Sequence, residues 1–290
     1  NIRMRAIWAV SNLEYERDAL VPALRLGLRD AHPQVRRAAL NMIRRRGHRR
    51  KALSSMVPDL LESLRDPSHT VRAGAAGALS VTTTSAAKAE EPLLAAVRDT
   101  SAYVRSSVLQ ALGKLQPRST RIQEAVLEAV TDPAESVRRS AVWALRSPGP
   151  LGEETILRLV GATRDESESV ARTAVDALTK QKSLLPITYD VMPDVFRTGS
   201  TEVRKRVVGS FCADTVNTPA VLPLLEAALA DPDKTVRGGA LHTLGRLGPR
   251  AHEVVPAIER ALADPDHHVR LAAENALRKI RGAGEAKRDP

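Results

Sequence analysis

A repeat of 33 residues is the feature that most constrains what this chain can fold into. The repeated pattern is Asp, four residues, Val and Arg, as in Asp99–Val104–Arg105. From Ile2 through the motif valines to Val269, the steps are 33, 36, 33, 33, 33, 33, 33 and 33 residues. A period held over this length predicts a stack of similar supersecondary units, each packed on its neighbours.

The copies of the motif differ in how complete they are. Ala171 follows Val170 where Arg is expected, and Thr198 stands where Asp is expected. The first copy is cut off and begins at Ile2–Arg3. The complete copies are Asp30–Val35–Arg36, Asp66–Val71–Arg72, Asp99–Val104–Arg105, Asp132–Val137–Arg138, Asp231–Val236–Arg237 and Asp264–Val269–Arg270.

Each unit is predicted to form two helices. Counted from the motif Arg, small or apolar residues fall at offsets three, four, six, seven and ten, which is one face of a helix. In one copy these residues are Val108, Leu109, Ala111, Leu112 and Leu115. Asp-Pro before the motif Val marks the turn, because Pro fits the first turn of a helix. Aromatic residues make up 2% of the chain, so its core must be built from Ala, Leu and Val.

These units resemble the HEAT-like repeats of phycobilisome lyases and of many bacterial scaffold proteins. The resemblance implies an all-α, right-handed α-solenoid of about nine helical hairpins, the first truncated, with second helices lining the concave side. It also implies a hydrogen-bonded ladder of the repeated Asp and Arg through the turns, which would satisfy polar groups at each joint. We expect one solenoid over residues 1–281 and a disordered tail over 282–290.

The net charge of +10 is not explained by the motif. Eight motif Arg and seven motif Asp account for one unit of the +10, so nine units lie elsewhere. A dense basic run surrounds Gly47 in the unit that is three residues longer than the others. It is either a solvated loop at a helix end or a contact for phosphate or an acidic peptide. The run contains Arg44, Arg45, Arg46, Arg49, Arg50 and Lys51.

Two further sets of basic residues follow the repeat. Nine residues after the motif Arg position come Arg45, Lys114, Lys180, Arg246 and Lys279. One residue after it come Arg37, Arg139, Arg172 and Lys205. Both offsets avoid the core face, so stacking would place them as basic lines along the second helices. The alternative interpretation is that they serve solubility and the helix dipole alone.

The two tryptophans of the chain share one register. Trp8 and Trp143 both lie five residues after the motif Arg, an offset at which no aliphatic residue occurs. We therefore expect an exposed position in the middle of the concave face, where Trp is a favoured contact residue; partial burial against neighbouring side chains is the alternative. The predicted contact residues are Trp8, Gln110, Trp143, Asp176, Arg139 and Arg172.

No catalytic motif is found. The sequence has no Gly-rich phosphate loop, no nucleophile elbow and no paired-Cys metal spacing. HEAT-like deoxyhypusine hydroxylases carry several His-Glu pairs that hold iron, whereas this chain has the single pair His252–Glu253. HEAT-like alkylpurine DNA glycosylases use Trp and Asp on a basic concave surface, an arrangement that Trp143, Asp176 and Arg139 could imitate, but no motif of that family matches here residue by residue. Bilin lyase activity is suggested by the type of repeat alone.

The sequence therefore predicts a binding module with no cofactor, no metal and no catalytic activity. We expect a scaffold with a basic concave surface, with a protein as partner and nucleic acid as the alternative. A single cysteine and the lack of a long apolar segment favour a cytoplasmic protein that does not enter a membrane. Oligomeric state is left open. The unit Lys182–Asn217, which lacks its ladder Asp, is predicted to be a local deviation that opens more readily than its neighbours.

Overall fold

The computed structural model describes residues 2–3, 5, 17–46, 53–82, 86–115, 119–146, 152–179, 190–211 and 219–285. Within these ranges the regular structure is entirely helical, as the repeat predicts. Trp8, Arg49, Arg50, Lys51 and Lys180 lie outside the described residues.

The chain divides into two compact units, residues 1–147 and 148–290. The single solenoid expected over residues 1–281 stays a prediction. At the boundary between the units the sequence has Pro-Gly-Pro after Ser147, and proline and glycine interrupt helices.

Between residues 17 and 146, the described part of unit 1 contains four pairs of helices, in which odd-numbered helices come first in each pair and even-numbered helices second. A short 3₁₀ segment, Ser54–Met56, precedes α3, and another, Ala129–Thr131, follows α7. The helices are α1 Arg17–Leu28, α2 Pro33–Arg45, α3 Val57–Ser63, α4 His69–Thr82, α5 Ala86–Ala96, α6 Ala102–Leu112, α7 Thr120–Glu128 and α8 Glu135–Ala144.

Unit 2 repeats this alternation. 3₁₀ segments at Gly248–Val254 and Ala261–Ala263 flank its α15. The helices are α9 Glu153–Ala162, α10 Glu168–Thr179, α11 Met192–Thr198, α12 Thr201–Ser210, α13 Val221–Ala228, α14 Lys234–Leu247, α15 Val255–Arg260 and α16 His267–Glu285. Helix α16 continues four residues past 281, so the segment predicted to be disordered from 282 begins as helix.

The core consists of aliphatic side chains from both helices of each pair. On α6, the residues predicted from the offsets are all buried, with Leu109 and Leu112 fully inaccessible. Successive second helices pack directly on one another, as α2 does on α4 and α4 on α6. Their opposite faces carry the positions at offsets one, five and nine from the motif Arg, and this arrangement leaves those positions available for contacts.

The Asp-to-Arg ladder is present and joins neighbouring repeats within each unit, with one exception in unit 2. Arg72 donates from Nε and Nη2 to the carboxylate of Asp99, at 2.6 and 2.9 Å. Its Nη1 donates to the carbonyl of Asp66 in its own turn, at 2.9 Å, and Asp99 accepts the N–H of Ser101 at 2.8 Å. One Arg therefore closes its own turn and also reaches forward. Equivalent rungs are Arg3–Asp30, Arg36–Asp66, Arg105–Asp132, Arg204–Asp231 and Arg237–Asp264.

The rungs are largely shielded from solvent, which makes the pairing effective. In the Arg72–Asp99 rung, 17% of the Arg side chain and 11% of the Asp side chain are exposed. The hydrogen bond from Arg72 holds the pKa of Asp99 below its ordinary value against the opposing effect of burial. The Arg237 guanidinium lowers the pKa of Asp264 in the same way. The ladder therefore depends on ionised carboxylates.

One rung of unit 2 is missing, because both its Arg and its Asp are replaced by other residues. In the regular rungs of 27-residue spacing, Ala171 would be the Arg partner of the residue at 198, which is Thr. Arg164 instead donates to Thr198 Oγ1 at 3.2 Å and to Asp194 Oδ2 at 2.5 Å. Because both charges are absent, no half-buried partner is left without its counterion.

Candidate binding surface

The second helices α2, α4 and α6 of unit 1 carry positive charge without negative charge on the same helices. The sequences of α2, α4 and α6 contain no Asp or Glu. Their motif Arg are engaged in the ladder, whereas Arg37, Arg44 and Arg45 on α2 and Lys114 after α6 are exposed. Outside the ladder, the carboxylates that the structure describes in this unit lie on first helices, apart from Glu135 at the start of α8. Charge is therefore separated between the two faces of unit 1.

A groove of about 280 Å³ runs along α4 between α2 and α6. Its walls are formed by long side chains of the outer two helices, and its floor by small residues of α4. The groove is lined by Arg37, Asn41, Arg44, Thr70, Ala73, Gly74, Gly77, Ser80, Tyr103, Ser107, Gln110, Ala111 and Lys114. No carboxylate is among them.

The depth of this groove comes from two glycines of α4 with different roles. A Cβ on Gly74 would lie 3.1 Å from Leu40 Cδ1, so Gly74 is required for close packing of α4 on α2. A Cβ on Gly77 would meet only Arg44 Cδ, at 3.5 Å, which is ordinary contact. Gly77 therefore leaves open space that a larger side chain could fill without disturbing the helix packing.

The groove presents hydrogen-bond donors that lack acceptors. Among the described residues, no hydrogen-bond or ion-pair partner is found for the side chains of Arg37, Asn41, Arg44, Tyr103 and Lys114. Two hydroxyls of the groove already donate within their own helices. Ser80 on the floor donates to the carbonyl of residue 77, and Ser107 on the wall donates to that of residue 103. A ligand rich in acceptors, above all an anionic one, would satisfy these groups.

The second helices of unit 2 are different, because they carry carboxylates as well as basic residues, and several of their basic residues are paired. Arg206 forms a bidentate pair with Asp176, Lys205 bonds Glu202 at 2.6 Å, and Lys234 bonds Asp266 at 2.9 Å. A concavity of about 420 Å³ between α14 and α16 includes a single Lys, with two His and the exposed Leu271. It offers much less uncompensated charge than the groove over α4.

The predicted contact residues of unit 1 lie near one another. Gln110 is exposed, lines the groove and donates to Ser140 Oγ at 3.2 Å. Trp143 is 36% exposed, and its ring packs over Gly113, where a Cβ would approach Cζ3 to 3.0 Å. Trp143 is thus partly exposed and partly packed, which lies between the exposed contact position and the partial burial that the sequence left open. Arg139 is exposed, with Glu135 at 3.9 Å.

One predicted contact residue of unit 2, Asp176, is already ion-paired within the chain. The carboxylate of Asp176 is held by Arg206 and is 16% exposed, which leaves it little capacity to bind a partner. Arg172 is exposed. The expectation that Asp176 acts together with Trp143 has no observation to support it.

The predicted anion-binding residues are placed at the ends of second helices. Arg44 and Arg45 are exposed in the last turn of α2, and Arg46 caps that helix through its backbone N–H. Lys114 follows α6, and Arg246 is exposed in the last turn of α14. The structure brings Arg44 and Lys114 to the same groove, whereas Arg246 lies in the other unit.

The offset of five residues from the motif Arg is not a core position, as predicted. None of the residues described at this offset is buried. Sequence reasoning did not identify Tyr103, which is 60% exposed, nor the small floor of α4. A signal existed for Tyr103, since the offset two before the motif Arg carries polar residues or Tyr throughout.

Two classes of site find no support in the part of the chain that the structure describes. It contains no group of His, Cys, Asp or Glu arranged to hold a metal ion. None of its helices combines the length and the apolar character needed to cross a membrane.

Comparison with known proteins identifies the class of the chain. The family model of HEAT repeats matches residues 21–90, 90–179 and 194–278. The chain belongs to the HEAT-repeat family.

Solved structures show the same architecture in other proteins. A chain of a homology model of the full-length AP-3 complex in an intermediate open conformation superimposes with a TM-score of 0.71 at 16% identity, covering 97% of this chain and 55% of that one. This chain therefore spans about half of that neighbour's length. In all, 406 chains match, so the likeness defines a widely shared fold and not a function. A comparison with curated proteins finds no match.

Proposed function

We propose that this chain is a non-catalytic scaffold that binds a protein partner through the second-helix surface of unit 1. The observation that carries the proposal is the set of exposed cations on α2 and, after α6, at Lys114, with no carboxylate on α2, α4 or α6. HEAT-type stacks present long surfaces of this kind to other macromolecules. The finer architecture, about nine repeats in a right-handed superhelix with second helices on the concave side, is part of the same proposal.

A protein partner is favoured over nucleic acid by the composition of the surface. Single-stranded nucleic acid is bound largely by stacking of bases on aromatic side chains, and Tyr103 is the one aromatic residue that lines the groove. In unit 2, Lys205, Arg206 and Lys234 are paired with carboxylates, which weakens the attraction of that unit for phosphates. An anionic protein surface does not require stacking on aromatic residues.

Catalysis of the DNA glycosylase type has less support than binding. Such activity would need a free carboxylate near an aromatic residue on a basic surface. The suggested Asp176 is held by Arg206, and Trp143 packs over Gly113. Bilin lyase activity has no residue in this chain to which it can be assigned.

The test is capture of partners from a lysate of the source cells with and without nuclease treatment. The decisive variant is Arg37→Glu/Arg44→Glu/Lys114→Glu, which reverses the groove cations. The matched control is Arg172→Glu/Arg246→Glu/Lys279→Glu, which makes the same charge change at exposed second-helix positions of unit 2.

We expect defined protein partners that persist after nuclease and whose affinity falls at least about tenfold, or about 1.4 kcal/mol, with the groove variant. The control variant should retain them. Loss of all capture after nuclease would identify the chain as a nucleic-acid binder. Equal capture by the groove variant and the wild type would show that another surface is used.

A further inference from the structure

We infer that the groove over α4 receives a short acidic segment of the partner, with Asp or Glu side chains bound by Arg37, Arg44 and Lys114. This inference rests on the proposed function and specifies the chemistry of the occupant. It concerns one groove in unit 1, whereas the proposed function concerns the whole second-helix surface.

Charge complementarity is the first argument. The groove holds two guanidinium groups and one ammonium group without a carboxylate partner among the described residues. Lone cations placed around one concavity repel one another, and an anion brought between them relieves this repulsion. Guanidinium groups bind carboxylates with two parallel hydrogen bonds, which adds geometric preference to the charge.

The neutral donors extend the same argument. The Asn41 amide and the Tyr103 hydroxyl face the groove without partners in the described structure. A peptide in the groove offers backbone carbonyls as well as carboxylates, so it can accept from all five groups. A free anion such as phosphate would reach only some of them.

The dimensions fit a segment of a few residues. The floor extends over eleven residues of α4, from Thr70 to Ser80, and the rise between these two is about 15 Å in an α-helix. An extended chain covers this length with about five residues. Arg37 and Arg44 are seven residues apart on α2, or about 10 Å, so a segment that meets both must carry carboxylates densely.

The floor provides a way to close the groove without changing its charge. Gly77→Gln adds a side chain over α4, where the nearest neighbour of the new Cβ is Arg44 Cδ at 3.5 Å. Replacing a helical Gly favours the helix, so the variant is expected to fold. Gly209→Gln is the matched control, because Gly209 is at the same offset from its motif Arg on α12 and its Cβ would meet nothing within 4 Å.

The experiment measures fluorescence anisotropy of a labelled Glu/Asp-rich peptide with the full chain. A Gln/Asn peptide of equal length serves as the neutral probe, and labelled oligodeoxythymidylate as the nucleic-acid probe. We expect the acidic peptide to bind at least about tenfold more tightly than the neutral one. Gly77→Gln should weaken acidic-peptide binding by a similar factor, and Gly209→Gln should leave it unchanged.

A second variant, Arg44→Gln/Lys114→Gln, repeats the test by removing charge at two exposed positions. It should reduce binding of the acidic peptide at least about tenfold. Equal binding of the acidic peptide by the wild type and both groove variants would overturn the inference. Binding of the oligonucleotide in preference to the acidic peptide would overturn it in favour of a nucleic-acid ligand.

The two proposals fail in different ways. If Gly77→Gln still captures the lysate partner while the groove triple variant does not, the scaffold function stands and the groove inference is wrong. If neither the groove triple variant nor Gly77→Gln changes capture, both proposals fail together.

Discussion

The second-helix surfaces of the two units are built from the same repeat and yet differ in charge. In unit 1, α2, α4 and α6 have no acidic residue, and cations such as Arg37 and Arg44 are exposed without partners among the described residues. In unit 2, Asp176 and Glu202 pair with the cations Arg206 and Lys205. The repeat fixes the positions, and the residues at exposed offsets determine whether a surface is available to an anionic partner.

The ladder is more regular in unit 1 than in unit 2. In unit 1 the rungs Arg36–Asp66, Arg72–Asp99 and Arg105–Asp132 are all formed. In unit 2 the rung between positions 171 and 198 is absent. Unit 1, which contains the groove over α4, thus has regular joints along that groove, which favours a preorganised surface.

The largest effect is expected from breaking a rung of unit 1. Asp132→Ala removes both carboxylate acceptors of Arg105 and the cap on the N–H of Ala134. Because the pair is shielded and Arg105 loses its counterion, we expect a loss of about 3 kcal/mol in the free energy of unfolding. Urea unfolding followed by circular dichroism measures it.

The control for this variant is a carboxylate four residues earlier. Glu128 is 72% exposed and lies 3.7 Å from Arg98, which is 82% exposed. Glu128→Ala should change stability by less than about 0.5 kcal/mol, since exposed ion pairs contribute little. Equal losses for the two variants would show that the ladder has no special role.

A smaller effect is expected from restoring the missing rung in unit 2. Ala171→Arg/Thr198→Asp recreates a pair with the 27-residue spacing of the regular rungs. The two substitutions should show a favourable coupling energy of about 1 kcal/mol in a double-mutant cycle. In the wild type, amide exchange should be faster in α11 and α12 than in α14, and the double variant should slow it.

Each single substitution provides the control for the restored rung. Ala171→Arg alone places a charge at a buried position without its partner, so it should be neutral or destabilising. Additive single effects, or uniform exchange across α11 to α14 in the wild type, would contradict the prediction.

The smallest effect is expected from protonation of the ladder carboxylates, because it lowers the free energy of unfolding only at acid pH. The pKa of Asp99 is lowered by its bond to Arg72, and that of Asp264 by Arg237. A carboxyl with a lowered folded pKa contributes its full stability above the ordinary Asp value of about 3.9. That contribution is lost as pH falls below about 4 through the folded pKa.

The measurement is urea unfolding over a pH series for the wild type and Asp99→Asn. The variant should be less stable at neutral pH and should lose less stability on acidification, so the two curves converge in acid. Parallel curves would mean that Asp99 does not contribute to the acid dependence.

Much of the fold could be predicted from the sequence, because the repeat constrains it many times over. The offsets of apolar residues from each motif Arg identified the buried face of α6, and the Asp-Pro pairs identified the turns. The partners in each rung followed from the resemblance to known repeats. The division at Ser147 and the extension of α16 to Glu285 were not predicted, because they depend on a single local sequence and not on the repeat.

The candidate site was predicted less completely. Sequence periodicity indicated that Gln110, Lys114 and Arg44 are exposed, since they avoid the core offsets. It could not show that Asp176 is paired with Arg206, because the partners are 30 residues apart on different helices. The groove arises because α4 has no side chain at Gly77. This absence of volume leaves no hydrophobic pattern in the sequence from which the groove could be predicted.

The rung between Arg36 and Asp66 has a consequence for how such a chain can change length. Its partners are 30 residues apart, whereas Arg72 and Asp99 are 27 apart, yet the two rungs have the same bonds at nearly the same distances. The three extra residues are thus absorbed between a second helix and the following first helix. We expect this connection to accept further insertions without loss of register, so engineered fusions are best placed there.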